Sequence, residues 1–159
     1  MINYEVRNML KKLLEIDLGE ELPASEWIKI DQADINLFAK ATGDHQWIHI
    51  DADRCAKESP FKATIAHGYL TVTLMPNAFY QMFKADDNNQ TILNYGVEKI
   101  RFLEPVRVND EIRYVSKLVK LEQKPSGKLF YFSTEAQIKN RDKPAMVGIF
   151  MMLLAGAAP

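Results

Sequence analysis

The sequence reads as a single α+β domain: a curved antiparallel sheet of about five strands wrapped around one long apolar helix, with a helical extension at the N-terminus. Three observations predict this class. Residues 65–83 are apolar on nearly every side, and a helix of that character has to be buried. From Ile92 onward the chain alternates apolar and polar residues in four runs separated by turn-forming residues, the pattern of strands joined by short connections. A chain of 159 residues falls in the range of one domain and can bury roughly two thirds of its unfolded surface, so no second core is needed.

Taken in order, residues 1–18 place Ile2, Val6, Met9, Leu10, Leu13 and Leu14 at helical spacing, with Arg7, Lys11 and Lys12 elsewhere on the wheel. This predicts an amphipathic helix that caps the domain or serves as a partner-facing arm, ended by Gly19 and Pro23. Residues 1–24 therefore form an N-terminal helix and linker, and residues 25–159 the main domain. Residues 25–30 alternate as a short edge strand, and Asp31 is an N-cap candidate for a helix over 32–41 with Ile35, Leu37 and Phe38 on its apolar side. Thr42-Gly43 stops that helix, so residues 44–49 are expected in a loop. Asp51 opens a short helix through Lys57. In the apolar stretch 65–83, Thr71, Val72 and Thr73 are poor helix formers and Pro76 removes a backbone donor, which predicts a kink or break near Pro76. Residues 84–90 are a polar turn. Strands follow at 92–103, 111–121, 129–138 and 146–154, the last almost continuously apolar as in the middle of a sheet. Short turns between consecutive strands predict an antiparallel meander.

Composition excludes several classes of function. With 20 basic and 21 acidic residues and a net charge of -1, the chain has no electrostatic footprint for nucleic acid. The single Cys55 cannot form an intrachain disulfide, and without a signal peptide the expected location is cytoplasmic. The longest apolar run, 145–158, is interrupted by Gly148 and Gly156 and is too short for a membrane span. Lys99, Arg101 and Arg107 could meet phosphates of a carrier group, but a solvated strand face is the preferred reading.

Two constellations carry chemistry. Asp44 and His49 stand five positions apart. A carboxylate accepts hydrogen bonds, and an imidazole with an unperturbed pKa of about 6.5 exchanges a proton near neutrality, so the pair can act as a general acid and base on one water. Interleaved Trp47 and Ile48 suggest a segment held against the body. His45 and His49 have the spacing of a metal pair, but Gln46 follows where a metalloprotease helix needs Glu, and no third ligand has suitable spacing, so no metal is expected. The second constellation is Ala66-His67-Gly68 at the entry to the apolar helix, where first-turn amides have no intrahelical partner and glycine lets a carbonyl come close. Cys55 has no evident base, there is no Gly-x-Ser-x-Gly elbow, and Cys55 is expected as buried filler.

Residues 38–51, around Thr42-Gly43-Asp44-His45-Gln46-Trp47-Ile48-His49, resemble the first motif of the MaoC-like dehydratase family, which includes R-specific enoyl-CoA hydratases. Ile65-Ala66-His67-Gly68-Tyr69-Leu70 resembles the second. Asn94-Tyr95-Gly96, Arg101-Phe102 and Pro105-Val106 are similar to the NodN-like branch, and the likeness spans roughly residues 27–154. It implies a hot-dog fold and reversible hydration of a trans-2-enoyl thioester, carried by acyl-CoA or acyl-carrier protein, to a 3-hydroxyacyl thioester. Asp44 and His49 match the catalytic pair and Gly68 the glycine whose amide meets the thioester carbonyl. Trp47, His67 and Tyr69 beside them are the expected substrate contacts. A homodimer is expected, and no cofactor. Gln46-Trp47 replaces the usual Asn-Pro, and Pro76 stands where a serine often lines the site. The fold also accommodates a non-catalytic acyl-thioester or small-molecule binding protein, or a thioesterase.

Overall fold

The structure is a computed structural model that describes residues 10–84 and 90–156. Its five strands, β1 (Ile28–Lys29), β2 (Thr91–Phe102), β3 (Glu111–Lys124), β4 (Gly127–Ile138) and β5 (Met146–Ala155), form one antiparallel sheet in the order β1-β3-β4-β5-β2. Alternation sends Ile112, Tyr114 and Leu118 of β3 and Phe130 and Phe132 of β4 to one face, where all are buried. β5 lies between β4 and β2, as its nearly continuous apolar character requires. Leu153 meets Leu129 and Tyr131 in a small cluster on the opposite face, while Phe150, Met152 and Leu154 enter the main core.

The meander expected from the turns holds for β3, β4 and β5 but not for β2, which pairs with β5 at the far edge. The reason lies in the connection from β2 to β3. Residues 103–110 do not make a hairpin; they cross the end of the domain with their backbone groups satisfied by other segments. Leu103 N–H donates to Ala145 O at 2.8 Å, Val108 N–H to Thr64 O at 2.9 Å and Asn109 N–H to Ile30 O at 2.7 Å, while Val106 O accepts from Ala66 N–H at 2.7 Å.

Among the described residues, four of the five α-helices precede the break at Leu74: α1 (Gln32–Thr42), α2 (Trp47–Ile50), α3 (Ala52–Glu58) and α4 (Gly68–Thr73); α5 (Met75–Phe79) follows it. Asp31 caps α1 by accepting from Asp34 N–H at 2.9 Å, and Asp51 caps α3 through Arg54 N–H at 2.9 Å. The long apolar helix is two short ones, because Pro76 cannot continue α4 but fits the first turn of α5. Met75, Phe79 and Met82 are fully buried against the sheet, with Phe79 5.0 Å from the Phe132 ring. Tyr69 and Tyr80 instead face out, so the stretch is not buried all round.

The predicted N-terminal helix is corrected where it can be seen. Residues 1–9 lie outside the described residues; beyond them only a 3-10 turn forms, Leu13–Glu15. Backbone groups of this segment are drawn to Lys84: Lys84 N–H donates to Lys11 O at 2.8 Å and Leu13 N–H to Lys84 O at 3.3 Å. Leu13, Ile16 and Leu22 are buried in the main core. The polar turn expected at 84–90 falls largely at 85–89, outside the described residues. Among the described residues no helix is long and apolar enough to cross a membrane.

Candidate active site

The chain leaves α1 through Gly43, whose left-handed backbone (φ 80°) turns it sharply toward Asp44. Residues 44–49 are not wholly a loop. Trp47–Ile50 closes one helical turn, which directs His49 inward while Asp44 stays on the exposed bend. The His49 ring is buried, 6 % exposed, and its Nδ1 lies 2.7 Å from the Ile65 carbonyl oxygen. A carbonyl only accepts, so Nδ1 carries the hydrogen and Nε2 keeps its lone pair. Burial pushes the His49 pKa below its ordinary value; the bond to Ile65 and the Asp44 carboxylate oppose this, and the His67 ring adds to it. His49 is therefore a neutral imidazole with an open acceptor.

His67 precedes α4 and stacks on His49, with ring centroids 3.7 Å apart and planes inclined by 26°. Its Nε2 lies 2.9 Å from the Asp44 backbone oxygen and 3.9 Å from Asp44 Oδ2. Donor atoms of Asp44, His49 and His67 all fall within 4.8 Å of one another. Three such groups invite a metal, but the geometry does not suit one. One nitrogen of each ring is already taken: His49 Nδ1 is committed to the Ile65 carbonyl and His67 Nε2 to the Asp44 carbonyl. A water fits better: with legs of about 2.8 Å at a tetrahedral angle it bridges acceptors about 4.5 Å apart.

His49 and Gly68 line one cavity of about 250 Å³, together with Thr71, Phe102, Pro105 and Val106. The crossing connection thus forms one wall and the entry to α4 the other. Gly68 is the first residue of α4, where its amide has no intrahelical acceptor. A Cβ placed there would meet three atoms of the Phe102 ring at 2.9–3.0 Å, so the absence of a side chain is what lets the ring and the backbone approach.

The expected substrate contacts are placed differently from one another. Tyr69 is 69 % exposed and meets the Phe102 ring edge-on at 5.7 Å, beside the cavity. His67 is enclosed, 3 % exposed, and offers its ring to Asp44 and His49. Trp47 is half-buried under the Arg54 guanidinium, 4.2 Å from its ring centre, and does not line the His49 cavity. Cys55 is buried as expected, its thiol pushed up by burial. Phe102 and Val106, notable in the sequence only for their likeness to a family pattern, are walls of the cavity. Pro76 lines a second cavity of about 240 Å³ with Phe79, Val97 and Phe150, between the α4–α5 segment and β2.

Comparison with known proteins decides the family. The family model described as MaoC like domain matches residues 15–136. The chain belongs to the MaoC-like dehydratase family. Among MaoC-like relatives, 3-hydroxyacyl-thioester dehydratase Z of Mycobacterium tuberculosis is 43% identical over 130 residues, covering 81% of this chain and 85% of that protein. Nodulation protein N of Rhizobium meliloti is 40% identical over 131 residues, covering 81% of each. The unliganded R-hydratase PhaJ1 from Pseudomonas aeruginosa superposes with a TM-score of 0.72 at 23% identity, covering 92% of this chain and 86% of that one, and shares its hot-dog architecture.

Proposed function

We propose that this MaoC-like dehydratase adds water reversibly to a trans-2-enoyl thioester, giving a 3-hydroxyacyl thioester. Membership of a dehydratase family puts the chain among the hydro-lyases. The observation that carries the finer reading is the juxtaposition of the Asp44 carboxylate and the neutral His49 ring, a nitrogen of which lies within 4.8 Å of a carboxylate oxygen, with Gly68 on the same cavity as His49. Two acceptors orient both hydrogens of one water and leave its lone pair facing the substrate. That oxygen bonds to the β carbon, Asp44 takes the proton, and the α–β π electrons move toward the thioester oxygen. The Gly68 amide donates to that developing oxyanion. The proton then passes from the pair to the α carbon, so atoms and charge balance. His49 orients the water through Nε2.

The acyl carrier, CoA or acyl-carrier protein, would enter past Tyr69 and Phe102 at the rim. A homodimer is part of this reading. Strand β2 ends the sheet, and Leu93, Tyr95 and Val97 on it are all about half exposed, an apolar edge suited to a second copy. Sedimentation of the pure protein tests this, and a monomer at micromolar concentration would remove it.

Crotonyl and longer enoyl thioesters, followed by loss of conjugated absorbance, test the reaction. Asp44→Asn and His49→Gln are each expected to lose about 100- to 10,000-fold in turnover with the fold kept. Wild-type rates in both variants would refute the assignment, and release of free thiol instead of hydration would point to thioester hydrolysis.

A further inference from the structure

We infer that His67 is a positioning residue, holding the Asp44 peptide through Nε2 and backing the His49 ring through its face, so that the second motif sets the geometry of the first. The inference rests on the Asp44/His49 reading above, and three observations support it.

The first is the tautomer. A carbonyl oxygen at 2.9 Å makes Nε2 the protonated nitrogen, which leaves Nδ1 as an acceptor that is buried without a hydrogen-bond partner. Phenylalanine or leucine would fill the same space without stranding a polar atom. What the histidine adds is the Nε2 donor, and that donor is spent on Asp44.

The second is the weakness of the bend that carries Asp44. Two of its local bonds are long, Asp44 N–H to Thr42 Oγ1 at 3.4 Å and Gln46 N–H to Asp44 Oδ1 at 3.3 Å, and the third, His45 N–H to Gly43 O, is 3.1 Å. The carboxylate is 53 % exposed, so packing does not hold it either. The bond from His67 reaches across 23 residues and is the shorter one, so it ties the bend to the entry of α4.

The third is the stack. His49 has Ile65 O fixing one edge and the His67 ring against one face, while Phe38 packs on His67 at 5.0 Å. Rotation of His67 would therefore shift both members of the pair at once. Displacements of about 1 Å at a reacting centre cost on the order of 100-fold in rate.

Four variants test this in the enoyl-thioester assay. His67→Phe keeps the ring and removes the donor; kcat is expected to fall about 10- to 100-fold with KM within about twofold. His67→Gln, whose amide nitrogen lies where Nε2 lies, is expected to stay within about fivefold of wild type in kcat. His67→Asn, whose amide is too short to reach Asp44, is expected to resemble His67→Phe. The double variant Asp44→Asn/His67→Phe is expected to be no slower than Asp44→Asn alone, because a residue that acts through Asp44 has nothing left to position. Wild-type kcat in His67→Phe, equal rates in the Gln and Asn variants, or losses that multiply in the double variant would overturn the inference. Should the phenylalanine chain not fold, the Gln/Asn pair decides. If Asp44→Asn itself retains full activity, the hydration reading fails and the inference falls with it; if Asp44→Asn is inactive while His67 variants are unaffected, the inference alone fails.

Discussion

Gly68→Ala separates the structural role of this glycine from its chemical one. The added methyl would stand 2.9–3.0 Å from three atoms of the Phe102 ring, closer than side-chain carbons pack. That ring is 47 % exposed, so it can swing outward without opening a buried void. Alanine also favours a helical residue over glycine by up to about 1 kcal/mol. These two effects oppose each other, and the variant is expected to keep its stability within about 1 kcal/mol, a Tm change of about 2–4 °C in either direction. Activity should respond far more. The methyl occupies the space through which a thioester oxygen would reach the Gly68 amide, and losing one oxyanion donor costs about 100- to 1,000-fold in kcat. The assay is disappearance of enoyl-thioester absorbance alongside thermal melting by circular dichroism. Adding Phe102→Ala to Gly68→Ala relieves the crowding but leaves the methyl over the amide, so the rate should stay low. Full turnover in Gly68→Ala, or full recovery in the double variant, would refute the role given to the amide.

Other outcomes follow from single contacts. Burial lowers the His49 pKa, so its unprotonated form persists below the ordinary value of about 6.5, and the acid limb of kcat/KM attributable to it should lie below pH 6.5; a limb at or above that pH would contradict the geometry. The same shift has a sign for stability. Between the two pKa values the unfolded chain binds more protons at His49, so the contribution is present above about pH 6.5 and is lost as pH falls through that range, which urea titrations at several pH values would show. The Tyr114 hydroxyl, buried on β3, donates to Thr71 O in α4 at 2.6 Å; Tyr114→Phe should cost ~1–2 kcal/mol and lower Tm by about 2–8 °C. Leu13 is fully buried in the main core, so Leu13→Ala should cost about 2–5 kcal/mol, and an unchanged melting point would show that the N-terminal segment is dispensable.

What could be read from the sequence was what short-range chemistry decides. The ends of β2 through β5 fall within a few residues of where alternation and turn residues put them, and Asp31, Gly43 and Asp51 cap and close the helices they were expected to. One reading failed because tertiary bonds override local pattern. Residues 10–18 have helical spacing, but Lys11 and Leu13 exchange backbone bonds with Lys84, whereas the break expected near Pro76 does divide the apolar stretch 65–83 into two short helices. At the site, Asp44, His49 and Gly68 were visible as residue types at a spacing. The stack of His67 on His49, and the enclosure of His67 that turns it away from the cavity, were not, since no spacing rule records which ring lies on which.

The crossover from β2 to β3 accounts for much of that difference. Had β2 paired with β3 as a meander, residues 103–110 would be a tight turn at the sheet edge, and nothing would lie beneath Gly68. Because β2 sits instead on the far side of β5, the connection must traverse the end of the domain, and its backbone bonds to Ala66 and Ala145 hold it against the entry to α4. That path places Phe102 on Gly68 and Pro105 and Val106 across from His49. The Ile65 carbonyl that fixes the His49 tautomer belongs to the same assembly, one residue before the Ala66 amide that bonds Val106. Strand order, a property of the whole chain, therefore holds in place the carbonyl that sets the protonation of one ring nitrogen, and through it the edge of His49 that is open to a water.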